Sequence, residues 1–88
     1  RIGAGGGQIL AEMLKVNTTV TCLGLCSCRL GDEGIRYLAA ALRVNETLQE
    51  LNLGFNDIVH VGAVELAAAL TVKKTLVGLQ IFGNRLSD

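Results

Sequence analysis

Leu48-Gln49-Glu50-Leu51-Asn52-Leu53-Gly54-Phe55-Asn56 follows the pattern L-x-x-L-x-L-x-x-N, and two offset copies flank it. Val20-Thr21-Cys22-Leu23-Gly24-Leu25-Cys26-Ser27-Cys28 lies 28 residues upstream, and Leu76-Val77-Gly78-Leu79-Gln80-Ile81-Phe82-Gly83-Asn84 lies 28 residues downstream. Self-similarity at a fixed period of this length is the signature of a solenoid, in which each unit buries its apolar face against its neighbours. Laid over the chain, the period gives a partial row (1–19), two full rows (20–47 and 48–75) and a second partial row (76–88). The full rows agree at 10 of 28 positions, nearly all small or aliphatic, which indicates a shared core under a divergent surface. With incomplete rows on both sides, the expectation is a segment of a longer solenoid.

Each row reads as strand, corner and helix. Alternation of Leu23 with Leu25, Leu51 with Leu53 and Leu79 with Ile81 predicts short strands over 22–26, 50–54 and 78–82, with those side chains inward. Apolar spacing predicts helices over 6–16, 32–44 and 61–72. Their inner faces are Ile9, Leu10, Met13 and Leu14 in the first, Ile35, Leu38, Ala39 and Leu42 in the second, and Leu66, Ala67 and Leu70 in the third. Asp32 is the expected N-cap of the second helix, with Glu33 favourable in its first turn, and Asn45 is expected to close it in the left-handed conformation. His60 replaces Asp32 in the next row and makes a weaker cap, while Lys73 and Lys74 suit the negative end of the third helix. Buried layers are expected from the columns Val20/Leu48/Leu76, Leu23/Leu51/Leu79, Leu25/Leu53/Ile81 and Leu30/Ile58/Leu86. Cys28/Asn56/Asn84 turn inward at the corner, where an amide satisfies loop backbone groups.

A parallel strand pair needs a crossover of a dozen or more residues, and a 28-residue row has room for one. Strands stack about 4.8 Å apart and helices roughly 8–10 Å apart, so the stack bends with its strands on the concave side. Ala39-Ala40-Ala41 and Ala67-Ala68-Ala69 hold the helices close and limit the bend.

The totals exclude several functions. Formal net charge is zero, so no electrostatic argument favours nucleic acid or an anionic membrane. No apolar run approaches the ~20 residues of a spanning helix. Only Tyr37, Phe55 and Phe82 are aromatic and there is no Pro, so the core is aliphatic. Three cysteines, an odd number, indicate reduced thiols and a cytoplasmic setting. Asn17-Thr18-Thr19 and Asn45-Glu46-Thr47 fit the N-glycosylation pattern, but they stand one period apart, and a repeated structural role explains both.

Three groupings invite chemistry and do not support it. Gly3-Ala4-Gly5-Gly6-Gly7 lacks the Gly-Lys-Ser/Thr ending and the preceding strand of a phosphate loop. Gly6 also shares a column with Gly34 and Gly62, which points to packing. Cys22 and Cys26 stand about 13 Å apart along a strand, too far for one zinc ion with sulfur bonds of ~2.3 Å, so no metal site is expected. His60 is the single histidine and has no nucleophile and carboxylate placed to form a catalytic group. The expectation is no enzyme and no cofactor.

At this point a resemblance is visible. L-x-x-L-x-L-x-x-N/C-x-L, then Gly34-x-x-x-Leu38-Ala39-x-Ala41-Leu42, then Val44-Asn45-x-Thr47 resembles the ribonuclease-inhibitor-type class of leucine-rich repeats, with a uniform period of 28. The Val-Asn-x-Thr connection is similar to that of intracellular NLR-type receptors and related proteins. The resemblance implies an α/β leucine-rich repeat solenoid, a horseshoe segment with parallel strands on the concave face and helices on the convex face. It also implies non-catalytic protein recognition, such as the ligand-sensing or autoinhibitory repeats of a receptor. The alternatives are a GTPase activator resembling the Ran activator and a structural scaffold, for instance in cilia. Flanking repeats of the same chain are the implied neighbours.

The side chains left for a partner are those on the strand face and the following corner. Glu50, Asn52, Phe55, Asp57, Gln80, Phe82 and Arg85 form the candidate site, with Gly54 and Gly83 leaving space beside Phe82. Aromatic and Arg anchors are what interface centres favour. Helical spacing puts Arg36, Arg43 and Glu65 on the opposite, convex side.

Overall fold

A computed structural model describes residues 3–17, 19–72, 76 and 78–84. Helix α1 (Gly3–Val16) is followed by β1 (Cys22–Gly24), α2 (Gly31–Val44), β2 (Glu50–Asn52), α3 (His60–Val72) and β3 (Gly78–Gln80). The strands form one parallel sheet in the order β1-β2-β3. Its register pairs Cys22 with Glu50 and Gly78, Leu23 with Leu51 and Leu79, and Gly24 with Asn52 and Gln80. Each row of partners joins residues 28 apart, so the sequence columns are rows of the sheet. The strands are shorter than expected, yet parallel bonding continues beyond them. Leu25 N donates to Asn52 O at 2.9 Å, Ser27 N to Gly54 O at 2.9 Å and Phe55 N to Phe82 O at 3.0 Å.

Between sheet and helices lies the aliphatic core. Leu30, Ile35, Leu38, Leu42, Leu48, Leu53 and Ile58 are almost completely buried. Burial is greatest in the middle of the stack: Leu48 is fully covered, while Val20 and Leu76 of the same column are half-buried. A layer needs a neighbour on both sides to lose its water. Leu86 lies outside the described residues, as do Lys73 and Lys74.

The inner face of α1 differs from the expectation. Gly7, Ala11 and Leu14 are buried, whereas Ile9 and Met13 are 65% and 58% exposed. Gly7, Leu10, Ala11 and Leu14 are the column mates of Ile35, Leu38, Ala39 and Leu42. Met13 shares its column with the fully buried Ala41 and Ala69, so that column faces the preceding helix, and α1 has none before it among the described residues. The glycine run is helical rather than a loop. A Cβ on Gly7 stands 3.2 Å from Gly34 Cα, and one on Gly34 stands 3.5 Å from Ala4 Cα, so small residues set the approach of α1 to α2. Glu65, in the column of Tyr37, is half-buried, whereas Arg36 and Arg43 are exposed.

Both expected helix ends of α2 are resolved differently. The helix starts at Gly31 without a side-chain cap bond. The Asp32 carboxylate instead accepts a hydrogen bond from Val59 N at 3.0 Å, in the next row. Asn45 is extended (φ −76°, ψ 131°), not left-handed. Its amide is buried and is needed inward. Asn45 Oδ1 accepts from Thr47 N at 3.0 Å and Leu48 N at 2.8 Å, and Nδ2 donates to Leu14 O at 2.8 Å and Asn17 O at 3.2 Å. Thr47 Oγ1 donates to Val20 O at 3.0 Å. The Asn-x-Thr pattern at Asn45 is therefore a staple between rows. Asn17, on the surface, makes the same local bonds to Thr19 N and Val20 N at 2.9 and 2.7 Å.

The corner column is a second staple. Asn56 Oδ1 accepts from Cys28 N at 3.0 Å and Leu30 N at 3.2 Å, and its Nδ2 donates to Leu25 O at 2.7 Å and Gly54 O at 3.2 Å. Asn84 repeats this one row on, accepting from Asn56 N and Ile58 N and donating to Leu53 O and Ile81 O. Among the described residues no buried side-chain polar atom lacks a partner.

Candidate functional site: the strand face and its corner

Parallel register sets the outward side chains in two adjacent rows. Cys22, Glu50 and Gly78 make one, and Gly24, Asn52 and Gln80 the next. Together with Leu23 and Leu51 they line an open depression of about 370 Å³. Glu50 and Gln80 are exposed, as expected. Asn52 is half-buried and turned back on its own loop, where its Oδ1 accepts from Gly54 N at 2.9 Å. It lines the depression and also sets the turn.

The corner holds the aromatic residues. Phe55 and Phe82 meet edge to face, with ring centroids 5.2 Å apart and planes at 86°, a favoured aromatic geometry. Each is 52% exposed. The glycines do not leave free space beside Phe82: its ring edge lies 3.1 Å from where a Cβ on Gly54 stands, and the Phe55 ring fills the position of a Cβ on Gly83. The glycines are the floor on which the pair rests. Phe55 adopts φ +56°, and Ser27, Arg29 and Asp57 share this left-handed conformation at φ between 57° and 60°. A bulky side chain is uncommon there. The turn that holds Phe55 there also leaves Asp57 exposed at the edge of the corner. Arg85 lies outside the described residues. The structure therefore gathers two subsites, a depression around Glu50, Asn52 and Gln80 and an aromatic ridge of Phe55 and Phe82 with Asp57 beyond it.

Cys22, Cys26 and Cys28 are free thiols. Cys22 Sγ lies 3.6 Å from Glu50 Oε1, a contact that spacing along one strand does not reveal because it crosses to the neighbour. Cys28 is half-buried and donates to Cys26 O at 3.6 Å. Among the described residues no three His, Cys, Asp or Glu side chains group as metal ligands. We expect metal analysis of native protein to find no stoichiometric zinc, and chelators to leave its melting unchanged. Cys22 and Cys26 are expected to react with a thiol reagent faster than Cys28; one zinc per chain, or Cys28 reacting first, defeats this assignment. No described helix is long and apolar enough to cross a membrane.

A small parallel α/β stack with in-register strand side chains and asparagine staples between its rows defines a repeat solenoid. The chain belongs to the leucine-rich repeat family, whose model matches residues 16–39 and 44–67, more than half of the sequence. No curated protein matches the chain in sequence. Among solved structures, "Leiomodin-1 Actin-Binding Site 2 (ABS2)" is similar, with a TM-score of 0.86 and 27% sequence identity. That likeness covers 97% of this chain and 48% of the leiomodin chain, so this chain spans about half of that structure's length.

Proposed function

We propose that this chain is a non-catalytic protein-recognition segment of a larger cytoplasmic leucine-rich repeat protein. Its partner sits on the concave strand face and the corner beside it, touching Glu50, Asn52, Gln80, Phe55, Phe82 and Asp57, with Arg85 as a further contact. The observation that carries this reading is the half-exposed Phe55–Phe82 pair standing next to two rows of outward side chains. Two large rings held by neighbouring turns offer much contact area at little entropic cost, which is the usual character of an interface centre. The repeats of an NLR-type receptor are the setting we favour, with a GTPase activator or a ciliary scaffold as further settings of the same surface.

The likeness to an actin-binding region supports a second, narrower reading, in which the partner is actin. Pelleting with filamentous actin and gel filtration with monomeric actin test it directly. The broader reading is tested by a photo-crosslinking amino acid placed at Gln80 or at Arg36 in cells. Adducts are expected from Gln80 and not from Arg36; adducts from Arg36 alone put recognition on the helical face and overturn the site.

We further propose that additional repeats of the same chain stack on the apolar end formed by Ala63, Leu66, Ala67, Leu70, Leu79 and Ile81, which together with Ile58 line an apolar depression of about 100 Å³. Ala67 is exposed although its column mates Ala11 and Ala39 are buried between helices, which supports this stacking. A longer chain with those repeats is expected to melt at a higher temperature than residues 1–88, with sharper cooperativity. An unchanged melting temperature removes this proposal.

A further inference from the structure

Glu50 stands at the centre of the strand face with open space diagonally beside it. Among the described residues lining the concave depression it alone is charged. Its row neighbours are small: Cys22, whose thiol lies 3.6 Å from Oε1, and Gly78, where a Cβ would stand 3.3 Å from Glu50 Cγ. In the next row Gly24 has nothing within 4 Å of its Cβ position. Gln80, exposed at the far end of that row, adds an amide oxygen as a second acceptor. The floor between is the sheet backbone at Leu23 and Leu51, whose side chains turn into the core. The depression thus combines open space over Gly24, one carboxylate beside it and a neutral acceptor at the far end of the row. A cation on a long stem matches each of these features, because the stem fits the open space over Gly24 while the charged head meets the carboxylate. An anion is repelled by Glu50, and a purely apolar side chain leaves the carboxylate partly desolvated without a partner.

We infer that the concave depression is a subsite for one basic side chain, Arg or Lys, presented by a protein partner. The inference rests on the recognition reading above and names the chemistry of its central contact. The stem lies over Gly24, the head pairs with the Glu50 carboxylate, and Gln80 takes a further N–H. The aromatic ridge remains a separate subsite along the strand direction.

The test is an amide-resolved NMR titration of the chain with N-acetyl-arginine amide, using N-acetyl-norleucine amide as the uncharged counterpart. Saturable shifts are expected at Cys22, Gly24, Glu50 and Gln80, with a Kd on the order of 1 mM for so small a ligand. Glu50→Gln keeps shape and removes charge, and is expected to weaken the arginine response by about fivefold or more. Gly24→Val fills the slot where a Cβ meets open space, on a strand that suits a β-branched residue, so it folds and is expected to weaken the response similarly. Binding of the norleucine amide as tightly as the arginine amide overturns the assignment, as does an undiminished response in Glu50→Gln or the absence of saturable shifts. Its failure is distinct from failure of the recognition reading. If Phe82→Ala weakens a protein partner while Glu50→Gln and Gly24→Val do not, recognition stands and the basic subsite falls.

Discussion

Replacing Asn56 by alanine is expected to cost about 3 kcal/mol or more of folding stability, because four backbone groups lose a hydrogen bond at once, of which Gly54 O keeps Ser27 N as a donor. The side chain is completely buried, and it joins Cys28 N and Leu30 N of one row to the carbonyls of Leu25 and Gly54. Each group left unpaired away from water carries a desolvation cost of about 1–3 kcal/mol, reduced where the loop opens to admit solvent. Asn56→Leu separates hydrogen bonding from volume: it restores bulk and adds apolar area, yet is expected to be as destabilising as alanine. Cys28 occupies the same column but makes only a sulfur contact to Cys26 O, so Cys28→Ala should cost far less. Urea melts of the three variants give the comparison. Equal losses for Asn56→Ala and Cys28→Ala, or a stable Asn56→Leu, show that the amide is not what joins the rows. Against a total stability of about 5–15 kcal/mol for a typical domain, a loss of this size threatens folding itself.

Truncating Phe82 to alanine is expected to weaken binding of the protein partner by about 2 kcal/mol or more, roughly 30-fold, as at an interface hot spot. The ring is held on one side by Gly54 and on the other by the edge-to-face contact with Phe55, so it is in place before the partner arrives. An anchor held this way loses little rotamer freedom on binding, and its contact area goes directly into affinity. Phe55→Ala removes both an anchor and the support of the other, so the double variant is expected to be less than additive. Arg36→Ala and Arg43→Ala, on the exposed outer face of α2, are expected to leave affinity within about twofold. Melting temperatures are measured first, since a loosened stack loses binding for an unrelated reason. If Arg36 or Arg43 matters and Phe82 does not, the partner sits on the helices.

Gly54 and Gly83 show how the same residues read differently once the chain is folded. On the sequence they are gaps beside a phenylalanine; in the structure each carries the ring of a neighbouring turn. That exchange crosses rows and has no counterpart in spacing along one strand. Asn45 shows a similar change: helix-end statistics suggest a left-handed cap, while the side chain makes four bonds to groups in three rows from an extended backbone. Asp32, expected to cap its own helix, bonds to Val59 of the next. Local preference gives way wherever a neighbouring row offers a buried backbone group that needs a partner.

The repeat pattern by itself determined the α/β solenoid, the order of its elements, the parallel strands and the central leucine columns. All of these follow from period and alternation, which are properties of the chain as written. It also held the correct inner face of α1, since the columns of Ile35, Leu38, Ala39 and Leu42 lead back to Gly7, Leu10, Ala11 and Leu14. Apolar spacing within that helix alone points instead to Ile9 and Met13, because a helix face that lacks a neighbour keeps the residues suited to having one. Only the tertiary structure decided which polar groups face which. The Cys22–Glu50 contact and the ridge of Phe55 on Gly83 join residues one period apart, while the open space at Gly24 and the turn of Asn52 onto Gly54 are set by the packed strand face and its loop. Their geometry depends on side-chain rotamers and loop dihedrals set by packing between rows, and those are not carried by the composition of any single row.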